Sequence, residues 1–522
     1  MISIQRFNAS VLAKEFLPRK YLHAIIIILS LPTTALLLSS LRWHYLVDSP
    51  IFQYIARKLL DGAIPYKEIF DMNMPGTYWI HMATLKLFGE SNLGFRIVDL
   101  LFLCITLFAG GKILKPFGAT SILLFVISFA GIHLSGGEAA MGERDFFMIA
   151  CISVSTWLFL NAQKKYYFLN LFLSGIFVGY ATGIKPTGIL FFILLFATLF
   201  LSQKDNHNKM LKGILLITFG YLFFPVLFVL WIMYKGGLSS FLDMLIHYLP
   251  IYGKGAKNNI FTLISTIWRT PVGIMLIFFI LSMPFLRELI HDNSRKRIIN
   301  LLIVSGILLS LIHYLTQGTD FYYHLYPLYF FSSVFLSIIV YYLLGSDDKR
   351  IKIFGFLIIV SWMCILDLFT IPTIVKKVNP INQYDRNVAE QPGMIEEIVN
   401  KLRKDSIHKH EKVQVFDELG GGSNVLLELH ADIPTRFLQE IHFTEMEWKG
   451  VFPPYLQSLW DEFIFGLYAH KPQYIVMFKS SYFYLNKASN EGEKIELNHF
   501  IKEYYKAIEE GEKYIIYKVK DP

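Results

Sequence analysis

Apolar residues fill eleven long runs in the first 371 positions, separated by short polar links: Tyr21 to Ser40, Phe95 to Gly111, Gly118 to Leu134, Phe146 to Asn161, Phe168 to Ile184, Gly188 to Ser202, Gly213 to Met233, Val272 to Leu289, Ile298 to Thr316, Tyr326 to Leu344 and Ile353 to Ile371. A helix that spans a bilayer needs about 20 mainly apolar residues, so each run is predicted to cross the membrane. Two shorter stretches break the pattern. Pro75 to Phe88 has 14 residues and carries His81 and Lys86, which is short and polar for a span; it is predicted to be interfacial or re-entrant. Leu238 to Ile251 is amphipathic, carries Asp243 and His247, and is predicted to lie outside the membrane.

After Pro372 the pattern changes. The polar run from Asn379 to Asn387, together with Pro380 and Pro392, reads as a linker. Beyond it come a helical pattern (Met394 to Arg403), a strand-like run (Val413 to Phe416), a glycine turn (Gly420-Gly421-Gly422), a second strand-like run (Tyr474 to Phe478), a helix (Phe500 to Glu510) and a strand (Tyr514 to Val519). This alternation predicts a small α/β domain. The chain thus divides into a transmembrane domain, residues 1–371, and a soluble domain, residues 380–522. The triple glycine lacks the full dinucleotide fingerprint and reads as an ordinary turn.

Composition agrees with the pattern: 54% of the 522 residues are hydrophobic and only 17% charged, where a soluble domain carries about a quarter. The net charge of +8 does not indicate a nucleic-acid partner, because it is split. Met1 to Asn379 holds 32 Lys and Arg against 18 Asp and Glu, and Pro380 to Pro522 holds 17 against 23. The basic excess sits between the apolar runs, where it sets orientation. Arg6, Lys14, Arg19 and Lys20 precede the first run and place the N-terminus in the cytoplasm. Every second link is then basic: Lys112/Lys115, Lys164/Lys165, Lys204/Lys209/Lys212, Arg287/Arg295/Lys296/Arg297 and Lys349/Arg350/Lys352. The short links on the other side hold only Arg144, only Lys185, or no Lys or Arg around Gln317 to His324. This alternation puts the second domain outside the cytoplasm. The first run reads as an anchor, since no small-x-small cleavage motif follows it before Arg42-Trp43-His44. Cys104, Cys151 and Cys364 all fall inside runs, which argues against a disulfide framework or a thiolate metal site.

Charges near hydrocarbon are costly, so those that recur on one side are functional candidates. The outer side collects Asp48-Ser49-Pro50, the segment Asp61-Gly62-Ala63-Ile64-Pro65-Tyr66, Glu68 and Asp71, Gly142-Glu143-Arg144-Asp145, Lys185-Pro186 and Tyr322-Tyr323-His324-Leu325-Tyr326-Pro327. Asp48 and Asp145 also precede helical runs and could act as start signals. Arg144 could pair with Glu143, Arg96 with Asp99, and Glu68 and Asp71 read as solvated loop charges.

A helix, an acidic residue in the first outer loop, an amphipathic stretch ending in Gly-x-x-Pro-Tyr and a proline-led helix together resemble the GT-C superfamily of membrane glycosyltransferases. The similarity is greatest to the branch of protein O-mannosyltransferases and lipid A aminoarabinose transferases. It covers Met1 to Ile371 in layout and is specific over Asp48 to Arg96 and at Asp145. Met74-Pro75 departs from it, standing where many members have Lys-Pro-Pro or His-Pro-Pro; Asp48 is followed by Ser49 where many have a second acid. The resemblance implies a polytopic α-helical membrane protein with about 11 transmembrane helices of GT-C type and a small C-terminal α/β extracytoplasmic domain, in the plasma (inner) membrane. It implies transfer of a hexosyl or pentosyl unit from a polyprenyl-phosphate sugar donor to a lipid, glycan or protein acceptor. Asp48 then corresponds to the catalytic carboxylate and Asp145 to the acid of the second motif, either orienting the acceptor or holding a divalent cation with Asp48, as in some relatives.

The residue types suit that chemistry independently. A glycosyl phosphate is already activated, so one carboxylate can deprotonate the acceptor and invert the anomeric centre. Lys185, Arg144 and His324 are candidates for the donor phosphate, and Tyr322, Tyr323 and Tyr66 for the walls around the substrate. A transporter or flippase for a lipid-linked saccharide is the alternative; it should show paired halves with helices broken at mid-membrane, and no such repeat is visible.

Overall fold

The computed structural model describes residues 19–162, 166–202, 206–255, 258–285, 294–374, 391–444, 453–481 and 491–520. The linker expected at Asn379 to Asn387 lies outside them, as do Arg6, Lys14 and the end of the Val272 to Leu289 run. The first run folds as α1 (Arg19–Leu29) and α2 (Leu31–Ser39), bent by 43° at Ser30-Leu31-Pro32, where proline at the second position suits a helix start. A short helix, α3 (Asp48–Leu60), and the predicted interfacial helix, α4 (Pro75–Phe88), follow. The membrane helices α5 (Asn92–Leu114), α6 (Gly118–Ser135), α7 (Arg144–Asn161), α8 (Tyr167–Ile184), α9 (Ile189–Ser202) and α10 (His207–Lys235) come next. The amphipathic stretch forms α11 (Leu238–Asp243) and α12 (Leu249–Gly255) around a π turn. Then follow α13 (Ile260–Arg269), α14 (Pro271–Ser282), α15 (Ser294–Gln317), α16 (Tyr326–Gly345) and α17 (Lys349–Ile374).

Six helical stretches among the described residues are long and apolar enough to cross a membrane, or eight when each of two bent pairs counts as one. The protein is therefore an integral membrane protein, with fewer qualifying spans than the eleven expected. Residues 92–135 run as one helical stretch, yet it folds back at Lys115 to Gly118, because a Cβ on Gly110 would meet the Phe125 ring. Gly188 to Ser202 yields a 14-residue helix after a 3-10 turn. The Val272 run yields the 12-residue α14, set at 87° to α13. The helix α7 carries Arg144 and Asp145 at its start and lies inside the bundle, with Phe146, Phe147, Met148 and Ile149 fully buried.

Without water to drive association, membrane helices pack through small residues and polar pairs. A Cβ on Gly175 or Gly179 of α8 would collide with the Ile217 or Tyr221 carbonyl of α10, and one on Gly220 with the Phe172 carbonyl. Ser155 and Ser174 pair at 3.0 Å between α7 and α8, and Trp362 donates to Ser128 Oγ at 2.7 Å between α17 and α6. The bundle has two chemically distinct ends. At one, Lys296 donates to Tyr341 at 2.8 Å and lies 5.8 Å from the Phe117 ring, beside Lys115. At the other lie Asp145, Lys185, His313 and His324, together with the C-terminal domain.

That domain contains α18 (Gln391–Lys404), β1 (Val413–Phe416), α19 (Ser423–Leu429), α20 (Ile441–Thr444), α21 (Pro454–His470), β2 (Tyr474–Phe478), α22 (Glu491–Tyr504), β3 (Tyr505–Glu510) and β4 (Tyr514–Val519). The sheet order is β1-β2-β4-β3, with β1 parallel to β2 and the other pairs antiparallel. The helix expected at Phe500 to Glu510 is corrected: it ends at Tyr504, and the rest is an edge strand whose mostly polar side chains are exposed or half-buried. Partnering with β4 overrides the local pattern there. The Gly420-Gly421-Gly422 segment is a tight turn in which Asp417 accepts the Gly420 N–H at 2.6 Å. The core of this domain is continuous with buried Ile51, Tyr54 and Ile55 of α3, Phe70 of the first loop and Tyr248 of the amphipathic stretch. The two parts pack as one body around that first loop.

Candidate active site

The cavity of interest opens between α3, the loop after it, the start of α7, the turn before α16 and the C-terminal domain. Its empty space, counted together with the part open to solvent, is about 790 Å³. Asp48, Phe52, Asn73, Glu143, Arg144, Tyr322 and Tyr323 line it, with Leu419 and Gln439 from the C-terminal domain.

Asp48 occupies the first helical position of α3. Its predecessor Val47 takes φ 61°, a conformation that costs a β-branched residue and is held only where the surroundings over-determine it. Asp48 does not act as the side-chain cap, so the start-signal reading does not describe it. Its carboxylate instead meets Arg144 at 3.4 Å. Ser49 Oγ donates to the Met141 carbonyl at 2.7 Å, tying this turn to the loop that carries Glu143 and Arg144. Burial pushes the Asp48 carboxyl above its ordinary range; Arg144 pulls it back, and Asp71 adds to the rise. A half-buried carboxylate of raised basicity suits proton abstraction.

Arg144 does not pair with Glu143 as the sequence suggested. Its guanidinium bonds Asp48 and the side-chain oxygen of Asn73 and lies 5.3 Å from the Phe52 ring centre. Its Nε is buried and has no partner among the described residues. Glu143 also carries a buried oxygen, Oε2, without one. Burial, and then the charge of Asp48, holds the Glu143 carboxyl well above its usual range.

Asp145, one residue on, points into the bundle. Lys185 Nζ donates to its Oδ2 at 2.7 Å, His313 Nε2 lies 2.8 Å from Oδ1, and His324 Nδ1 lies 3.1 Å from Oδ2 and 2.9 Å from Lys185 Nζ. Burial lowers Lys185 to about 8, against the pull of Asp145. Lys185 and His324 are therefore next to the cavity but not among its lining residues; Lys185 lies 6.0 Å from the ring centre of Tyr323, which is.

The expected set is thus split. Asp48, Arg144, Tyr322 and Tyr323 line one cavity; Asp145, Lys185 and His324 form a buried cluster behind it. Tyr66 is corrected: it is 1% exposed, packs on Tyr78 and Phe241, and donates to the Asn73 carbonyl at 2.8 Å, so it braces the first loop and does not line the cavity. Asp71 is corrected too. It is 1% exposed, and its carboxylate accepts from Tyr78 at 2.5 Å, Asn73 Nδ2 at 2.8 Å and Gln439 Nε2 at 2.9 Å. Sequence reasoning missed Asn73, His313 and Gln439. Only His313, a lone imidazole inside an apolar run, carried a usable signal.

The donor set does not fit a cation bridging Asp48 and Asp145, because both Asp145 oxygens are taken by Lys185, His313 and His324. No group of three His, Cys, Asp or Glu among the described residues could hold a metal ion.

Residues 73–234 match the sequence model of the dolichyl-phosphate-mannose-protein mannosyltransferase family. No curated protein sequence matches the chain. Among solved structures, ArnT from Cupriavidus metallidurans bound to undecaprenyl phosphate superposes with a TM-score of 0.60 at 10% identity, over 95% of this chain and 98% of that one. The archaeal oligosaccharyltransferase AglB from Archaeoglobus fulgidus, in complex with an inhibitory peptide and a dolichol-phosphate, superposes with 0.53 at 11% identity, over 96% and 75%. With this likeness along nearly its whole length and a family match that takes in α4 to α10, the chain is a membrane protein of the GT-C glycosyltransferase fold.

Proposed function

We propose that this protein transfers a sugar from a polyprenyl-phosphate donor to a hydroxyl or amine of a lipid, glycan or protein acceptor, at the outer membrane face. One observation carries the reading: Asp48, a half-buried carboxylate of raised basicity, and Arg144, a half-buried guanidinium with an unused Nε–H, meet on the wall of one cavity. Its position at the membrane end that also bears the C-terminal domain suits a substrate held by a lipid tail.

The acceptor X–H gives its proton to Asp48 as X bonds to the anomeric carbon. The anomeric carbon to phosphate-oxygen bond breaks, and its electron pair stays on the departing phosphate. Arg144 stabilises that charge as a donor already fixed in place, which is the condition under which such donors are most effective. Attack opposite the leaving group inverts the centre. Tyr322, Tyr323 and Phe52 offer flat apolar faces to the sugar. Asp145 positions Lys185 and His324 behind Tyr323, so Lys185 reinforces the positive potential at the phosphate. No step requires a metal.

The test is turnover by purified protein supplied with polyprenyl-phosphate sugars, read as released polyprenyl phosphate and glycosylated acceptor. Release that depends on Asp48 supports the proposal. Movement of intact donor across vesicles without release would instead mark a flippase.

A further inference from the structure

One segment of the C-terminal domain, residues 436–439, holds the part of the first loop from Tyr66 to Asp71. The Phe70 N–H donates to the Arg436 carbonyl at 2.8 Å, and Phe70 forms a parallel bridge with Phe437. The Arg436 guanidinium lies 5.1 and 4.8 Å from the ring centres of Phe70 and Phe437, donates to the Tyr66 carbonyl at 3.3 Å, and is fixed by a two-pronged bond to Glu462 at 2.7 and 2.8 Å. Three residues on, Gln439 reaches the cavity wall and donates to Asp71 Oδ1 at 2.9 Å.

From Asp71 the bonds continue inward. Its carboxylate can only accept, so it takes the amide NH2 of Asn73. That leaves the Asn73 side-chain oxygen for Arg144, whose other arm meets Asp48. The polarity of each bond is fixed by the one before it. A carboxylate held by Gln439, Tyr78 and Asn73 stays turned away from Arg144; with a donor missing it becomes a rival anion for that guanidinium.

We propose that Gln439 is a positioning residue for the active site: through Asp71 and Asn73 it aims Arg144 at Asp48, so the C-terminal domain completes the catalytic centre and does not merely cover it. The inference rests on the reading of this cavity as the glycosyl-transfer site.

The test is a set of variants in the turnover assay. Gln439→Leu keeps size and burial but donates nothing; kcat is expected to fall about tenfold, the order for a lost bond to a charged group, with donor KM changed less than threefold. In an Asp71→Asn background the same substitution should have no further effect, because coupled residues are non-additive; Asn73→Ala provides the same cycle if Asp71→Asn does not fold. Thermal unfolding establishes that each variant is folded. A Gln439→Leu enzyme with wild-type kcat, or losses that multiply in the double variants, overturns the proposal. Wild-type turnover and its loss in Asp48→Asn, run alongside, test the parent reading separately.

Discussion

Replacing Asp48 by asparagine removes the proton acceptor and little else. The amide is isosteric, and its oxygen can still accept from Arg144 at the 3.4 Å seen for the carboxylate. Loss of a general base costs about 10²- to 10⁴-fold in rate, or about 3 to 5 kcal/mol of barrier. Arg144 keeps its bond to Asn73 and is relieved of a competing anion, so donor binding should hold or tighten. Stability has a definite sign. Burial raises the folded-state Asp48 carboxyl above its unfolded value, so the folded state binds that proton more tightly than the unfolded one does. Its contribution is present at low pH and is lost as pH rises through the folded value. At neutral pH a neutral amide removes that penalty, and Tm should be no lower than wild type. The assay is steady-state release of polyprenyl phosphate over a range of donor and pH, with thermal unfolding in detergent beside it. The expected signature is a kcat loss of at least about 100-fold, unchanged or lower donor KM, disappearance of the acid limb of the pH profile, and undiminished Tm. A kcat within threefold of wild type, or a loss explained by a fallen Tm, refutes Asp48 as the base.

Lys185 sits near 8 because burial opposes its charge, so the cation fades as pH rises past that value; donor KM should climb severalfold above pH 8 in the wild type and stay flat in Lys185→Arg, as read from KM against pH. Asp145→Asn leaves Lys185 without its buried partner and should destabilise by about 3 to 5 kcal/mol, whereas adding Lys185→Met should recover part of that in thermal unfolding. Gly142 stands at φ +75°, and a Cβ there would come within 2.2 Å of the Phe95 ring; Gly142→Ala should lower stability by about 1 to 3 kcal/mol and reduce kcat together with Tm. On a cysteine-free background, an impermeant maleimide should label Glu512→Cys from outside intact cells and Asp347→Cys only after lysis, and the reverse pattern would invert the topology.

The membrane class was legible because long apolar runs leave little choice of structure, and Asp48, Arg144 and the tyrosines, which line one cavity, were grouped from the alternation of the links between those runs. What was hidden had partners far away in the chain. Asp71 reads as a loop charge until Gln439, 368 residues later, is seen to donate to it. Tyr66 carries the right chemistry for a sugar-stacking residue, but local bracing of Asn73 claims its hydroxyl. The strand Tyr505–Glu510 has no strand-like pattern because only one edge of it is paired and most of its side chains are solvated. Fewer than eleven spans qualify among the described residues for a related reason: α7 is polar at its start, and protein, not lipid, surrounds it.

The position of Arg144 follows from what lies on either side of it. Before it, Gly142 donates to Asp99 Oδ1 at 2.8 Å, and Asp99 is itself held by Arg96 and by His133 at 3.0 Å, with Tyr326 on the far ring nitrogen at 2.8 Å. After it, Asp145 is fixed by Lys185, His313 and His324. Each cluster is a set of buried charges that is tolerable only when mutually satisfied, and each therefore resists rearrangement. Four residues pinned at both ends leave the backbone of Glu143 and Arg144 little freedom, and the side chains project into the cavity between the two anchors. A guanidinium held this way need not reorganise as charge grows on a leaving phosphate, which is the condition under which electrostatic stabilisation lowers a barrier most. The cost of burying two charged clusters is thus connected to the chemistry: they hold Arg144 opposite Asp48, a residue from a different loop whose own strained turn fixes it from the other side.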